Sequence, residues 1–154
     1  MLTTLIVTFF LLMARIDYVV NKVLYDFGLV FSYDWANMYW LAYQSTFGVF
    51  SAMVGFIYWF GSRKTHCDKK VTAALIVSIS LLSLGGLQDI LYFVLWDGGL
   101  PAASVVWSWV PWVSVFGTWN SVMQVTFTTA AVGISLLTWA LALHQKKKIC
   151  EYPF

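Results

Sequence analysis

Four apolar stretches, each long enough to cross a lipid bilayer, dominate this chain: about Leu2 to Phe27, Asp34 to Phe60, Val71 to Trp96 and Phe116 to Leu143. A spanning helix needs about 20 apolar residues at 1.5 Å rise each. Four of them in 154 residues leave only short connections. Charged residues make up 10% of the chain, against about 25% in soluble domains, so there is too little charge to coat a water-facing surface. A net charge of +2 is also too small for a nucleic-acid binder. The nine Trp suit a protein with two membrane interfaces to line. The expected fold class is an all-α membrane protein: a four-helix transmembrane bundle, one domain over residues 1–154, with a short interfacial Trp-rich segment between helices three and four.

Helix stop signals agree with these limits. Gly28 and Gly61 follow the first two stretches, Asp34 after Ser32 can cap the second, and Asp97-Gly98-Gly99-Leu100-Pro101 closes the third. Arg63, Lys64, Lys69 and Lys70 lie between stretches two and three, and Lys146, Lys147 and Lys148 follow the fourth. The positive-inside rule places both basic segments, and hence both termini, in the cytoplasm. Leu2 to Met13 lacks the basic start and cleavage site of a signal peptide, and no lipidation motif is present. Cys67 and Cys150 fall on the expected cytoplasmic side, where thiols stay reduced. The absence of a C-x-x-C motif excludes the four-helix quinone-linked thiol oxidoreductases. His66 and His144 match no zinc spacing with those cysteines, and no His lies inside a span. No metal or cofactor is expected.

The polar residues are unevenly distributed in depth. The inner halves, Leu2 to Met13, Ser51 to Phe60, Val71 to Leu84 and Val125 to Leu143, carry no ionisable group. The outer halves carry Arg15, Asp17, Asn21, Lys22 and Asp26; Asn37 and Gln44; Gln88 and Asp89; and Asn120 and Gln124. Each ion in hydrocarbon costs at least about 2.5 to 3.5 kcal/mol, so these groups should face one another or water. On helix one, Arg15, Lys22 and Asp26 share one face, whereas Asp17 and Asn21 share another, which suggests a central helix with two polar sides. Arg15 lies about 20 Å, and Asp89 about 27 Å, from the inner end of its helix. The expected ion pairs are Arg15 with Asp89, Asp17 close by, and Lys22 with Asp26. Stripes of small or polar residues, Gln44-Gly48-Ser51-Gly55 and Gly117-Asn120-Gln124-Thr128-Ala131-Ser135, should allow close packing.

Residues Pro101 to Ser114, with Trp107, Trp109, Pro111 and Trp112, form either an interfacial belt or a lid over the polar groups. Trp109-Val110-Pro111-Trp112 with Phe116-Gly117-Thr118-Trp119 resembles the Trp- and Pro-rich stretch of the tryptophan-rich sensory (translocator) proteins. That family has five spans and carries the stretch between the first two. Here it precedes the fourth, so no role is carried over. The small acid- and Trp-containing bundle is similar in kind to membrane sterol isomerases, but their His and Glu pattern is absent.

The expected ligand-binding set is Arg15, Asp17, Asn21, Gln44, Gln88, Asp89, Tyr92, Asn120, Gln124, Trp109 and Trp112. Tyr33, Trp35, Tyr39, Trp40, Tyr43, Tyr92 and Trp96 lie at similar depth, and aromatic walls with a few acids and amides suit a small apolar or cationic ligand. Three functions are compatible. The first is a binding protein or accessory subunit of a membrane complex, whose partners are the bilayer, other membrane subunits or a lipid-like ligand. The second is an isomerase- or hydratase-type enzyme with Asp89 or Asp17 as catalytic acid or base. The third is a proton-coupled exporter, against which count an Arg15 that would neutralise the acid and dry inner halves that offer no route to the cytoplasm.

Overall fold

A computed structural model describes residues 2–28, 33–62, 66–108, 110 and 113–145. The described residues form α1 (Leu2–Asp26), α2 (Tyr33–Gly61), α3 (His66–Leu84), α4 (Leu87–Leu95), α5 (Val113–Phe116) and α6 (Ser121–Gln145), with no strand among them. Among them α1, α2 and α6 each contain a segment long and apolar enough to cross a membrane. Counting α3 and α4 as one broken span makes four. Arg63, Lys64, Trp109, Pro111, Trp112, Lys146 to Lys148 and Cys150 lie outside the described residues, as do the side chains of Asp34 and Asn37.

The breaks follow local chemistry. Gly28, at φ +63°, follows the end of α1 in the left-handed region that glycine enters at no steric cost. The third apolar stretch, expected as one helix, is interrupted at Gly85-Gly86. Gly86 has φ +71° and forms the N-cap of α4. Gly98 and Gly99, at φ +85° and +135°, turn the chain after α4, and the Gly99 amide donates to the Phe93 carbonyl at 2.8 Å. The fourth stretch begins its long helix later than expected, because Gly117 at φ +82° separates α5 from α6. Asn120 then caps α6 by accepting from the Met123 amide at 3.1 Å.

The chain divides into two compact units. The first comprises Met1–Tyr43 and Gly86–Thr128. Within it α1 packs on α4. Phe10, Met13 and Ala14 are buried on one face of α1, at helical spacing, while Leu12, Ile16, Val19 and Val23 are exposed on others. Phe93, Trp107, Val110 and Trp119 form its aromatic core, with Tyr92, Met123 and Phe127 against it. The Trp107 amide donates to the Trp119 carbonyl at 2.8 Å, and Ser121 Oγ donates to the Pro101 carbonyl at 2.5 Å. The segment between α4 and α6 is thus held at three points.

The second unit comprises Gln44–Gly85 and Thr129–Phe154. Small residues make two of its closest approaches. A Cβ on Gly55 would fall 2.6 Å from Ile76, and one on Gly85 would fall 2.5 Å from Ala131 Cβ. Such surfaces let helix backbones approach closely in lipid, where packing rather than water exclusion drives association. Hydroxyls add bridges, Ser80 to Ser51 and Ser135 to the Ser78 carbonyl, both at 3.4 Å. Val71, Ala74 and Ala142 form a further cluster with Tyr58 and Trp139.

Cys67, buried in the first turn of α3, is disulfide-bonded. For Cys67 the expectation of a reduced thiol is therefore corrected; it rested on a compartment assigned by counting Lys and Arg. Maleimide should label Cys67 only after reduction, as read by intact mass and peptide mapping; labelling without reductant would contradict the bond.

Candidate functional site

Two acids of the first unit, Asp17 on α1 and Asp89 on α4, come together. Asp17 sits on the inward stripe of α1, one turn after Met13 and Ala14. Its carboxylate accepts a hydrogen bond from Tyr39 Oη at 2.5 Å. Asn21 Nδ2, one turn further, donates to the same Oδ1 at 3.1 Å and to the Asp17 carbonyl at 2.9 Å. A carboxylate offers about four acceptor positions, so Asp17 keeps capacity for a further donor.

Asp89 lies in the first turn of α4, where the helix macrodipole favours a negative charge. It is within electrostatic reach of Asp17. Tyr39 and Tyr43 each sense both carboxylates, and Tyr92 senses Asp17. Around the two acids stand aromatic rings. Tyr39 and Tyr43 lie 5.8 Å apart, Tyr18 and Tyr92 5.7 Å, and Tyr92 continues edge-on to Phe93 at 4.9 Å. Gln88, the residue before Asp89, is 4% exposed. Its Oε1 has no hydrogen-bond partner among the described residues.

Arg15 does not join this cluster. Its guanidinium lies 4.6 Å from the Trp96 ring centre and 5.4 Å from that of Tyr18. It makes no ion pair with Asp89 among the described residues. The expected pair used depth alone, but Arg15 and Asp17 are two residues apart on a helix, about 200° in azimuth. With Asp17 inward, Arg15 projects outward and is exposed. Lys22 and Asp26 are exposed too and form no ion pair with each other. The face expected as a second inward polar side is an outer surface.

The remaining candidates separate by role. Gln124 is fully buried at the helix break. Its Oε1 accepts from Trp119 Nε1 at 2.8 Å, and its Nε2 donates to the Gly86 carbonyl and to Thr128 Oγ1, both at 3.3 Å. Gln124 thus latches the interruption between α3 and α4. Asn120 caps α6. Gln44 belongs to the second unit and accepts from Ser83 Oγ at 2.8 Å. Trp109 and Trp112 lie outside the described residues. The sequence reading set Tyr39 and Tyr43 at the depth of the aromatic wall without pairing them to the acids; their four-residue spacing on the helix that follows α1 was the signal for that.

Among the described residues no group of three or more His, Cys, Asp or Glu could hold a metal ion. No protein family, no curated protein and no solved structure matches this chain.

Proposed function

We infer that this is a small integral-membrane binding protein that holds a lipophilic organic cation at Asp17 and Asp89. In this reading the four spans form one bundle with both termini on the same side of the membrane and the acids in the half away from them. The observation that supports it most is the pair of mutually sensed carboxylates ringed by Tyr39, Tyr43 and Tyr92, with Arg15 turned away onto Trp96. Among the described residues no cationic side chain lies between the two acids, so they attract a cation, and aromatic faces favour a large, weakly hydrated one.

The test uses purified protein and tetraphenylphosphonium, with neutral triphenylphosphine oxide as control, read by tryptophan fluorescence. The cation should bind and the neutral compound should not. Asp17→Asn and Asp89→Asn should each weaken binding about tenfold to a hundredfold, as loss of a desolvated charge partner does. Equal binding of both probes, or insensitivity to both substitutions, would overturn the reading.

A second reading is favoured by the position of Arg15. A guanidinium beside the acids would oppose proton exchange at them, and that objection is absent. Proton-coupled movement of the cation would appear as cation-driven acidification in proteoliposomes, abolished in Asp89→Asn.

A further inference from the structure

The outward face of α1 carries chemistry that the acid cluster does not use. Arg15 and Lys22 are both exposed, seven residues apart, and therefore on one side of the helix about 10 Å from each other. Around them Leu12, Ile16, Val19 and Val23 are also exposed. On a helix long and apolar enough to cross a membrane, exposed apolar side chains call for acyl chains against them, and cations among them call for an anion. Asp26, four residues after Lys22, and Asp97, next to Trp96, make no ion pair with either cation among the described residues.

The setting of Arg15 is specific. Its guanidinium lies over Trp96, just past the last turn of α4, and beside Tyr18. A guanidinium held by its face keeps its N–H edge free, and that edge matches two oxygens of a phosphate. Trp itself prefers the headgroup level of a bilayer.

We propose that Arg15, seated on Trp96 and Tyr18, and Lys22 bind the phosphodiester headgroup of an anionic phospholipid, whose acyl chains cover Leu12, Ile16, Val19 and Val23. One ligand satisfies the whole surface, with negative oxygens for the two cations and hydrocarbon for the aliphatic residues between them. Soluble phosphate would satisfy the first requirement alone. The proposal is independent of the cation reading, because Asp17 and Asp89 take no part in it.

The experiment places the full chain in nanodiscs of phosphatidylcholine, with or without a minority of phosphatidylglycerol. It follows thermal unfolding and, by native mass spectrometry, the phospholipid retained on release. Phosphatidylglycerol should raise the unfolding temperature and be retained in preference to phosphatidylcholine. Arg15→Gln and Lys22→Gln should each reduce that preference about fivefold, the worth of one cation near an anionic surface, and Arg15→Lys should retain most of it. If Arg15→Gln does not fold, Lys22→Gln and high salt on the unaltered protein provide the same reading. Equal retention of the two lipids, an undiminished preference in Lys22→Gln, or the same stabilisation by inorganic phosphate in phosphatidylcholine discs would overturn the proposal. So would Arg15-dependent copurification of another membrane protein in place of the lipid.

Discussion

Trp107→Ala is expected to lower stability by about 3–5 kcal/mol, the usual range for a large buried aromatic cut back to a methyl. Trp107 is 0% exposed although it belongs to a segment without regular structure. Its ring lies 4.8 Å from Phe93 and shares a core with Val110 and Trp119. Removal leaves a cavity bounded by rings that cannot collapse together, because Trp119 is held through its Nε1 by Gln124. Trp107→Phe should recover part of the loss, since an aromatic contact to Phe93 can persist. Thermal unfolding in detergent micelles, followed by near-ultraviolet circular dichroism, measures both. A loss below about 1 kcal/mol, the scale of an ordinary substitution, would show that this core is not closed.

Gly86→Ala should be the most damaging single-methyl addition in the first unit. The left-handed backbone at φ +71° costs about 1–2 kcal/mol for a residue with a Cβ. The new Cβ would also fall 1.9 Å from Gln124 Nε2 and 2.9 Å from Asp89 Oδ2. Gln124 must then leave, and its lost buried hydrogen bonds add about 1–3 kcal/mol. The total expected is about 2–5 kcal/mol, measured by the same unfolding assay. Gly133→Ala provides the control. It lies in α6 with open space around it and without a left-handed backbone, so it should be neutral or slightly stabilising. Gln124→Ala combined with Gly86→Ala should relieve the crowding and leave the backbone cost.

The helices were legible because the constraint behind them is one-dimensional. Run length and glycine position ended the first two stretches at Phe27 and Phe60, each one residue from the observed ends at Asp26 and Gly61, and turn chemistry at Asp97 to Gly99 marked the exit from α4. The buried stripe of α6, Gln124, Thr128, Ala131 and Ser135, was legible for the same reason, since four-residue spacing of small or polar groups selects a face. What escaped was azimuth and choice of partner. Depth along a helix brought Arg15 and Asp89 to similar heights but could not tell which side of α1 faces α4. An Arg can also lie over aromatic rings, as this one does over Trp96 and Tyr18, and rings carry no charge by which to recognise the pairing. The break at Gly85-Gly86 lay inside an otherwise continuous apolar run. A positive φ at one glycine leaves no trace in hydropathy. Of the candidate site, the residues that depended only on lying inward, Asp17, Asn21, Asp89 and Tyr92, were brought together. Gln44 and Asn120 were taken up by a serine and a helix cap.

The three tethers on the stretch between α4 and α6 set how this region opens. Releasing any part of it requires drawing Trp107 out from under Phe93, and the amide that pairs with Trp119 must separate in the same event. The connection and the first turns of α6 therefore yield as one cooperative piece rather than by local fraying. Exposed tips such as Ala102 to Val106 offer a protease side chains but little slack, so cleavage there should report the breathing of the aromatic core beneath it.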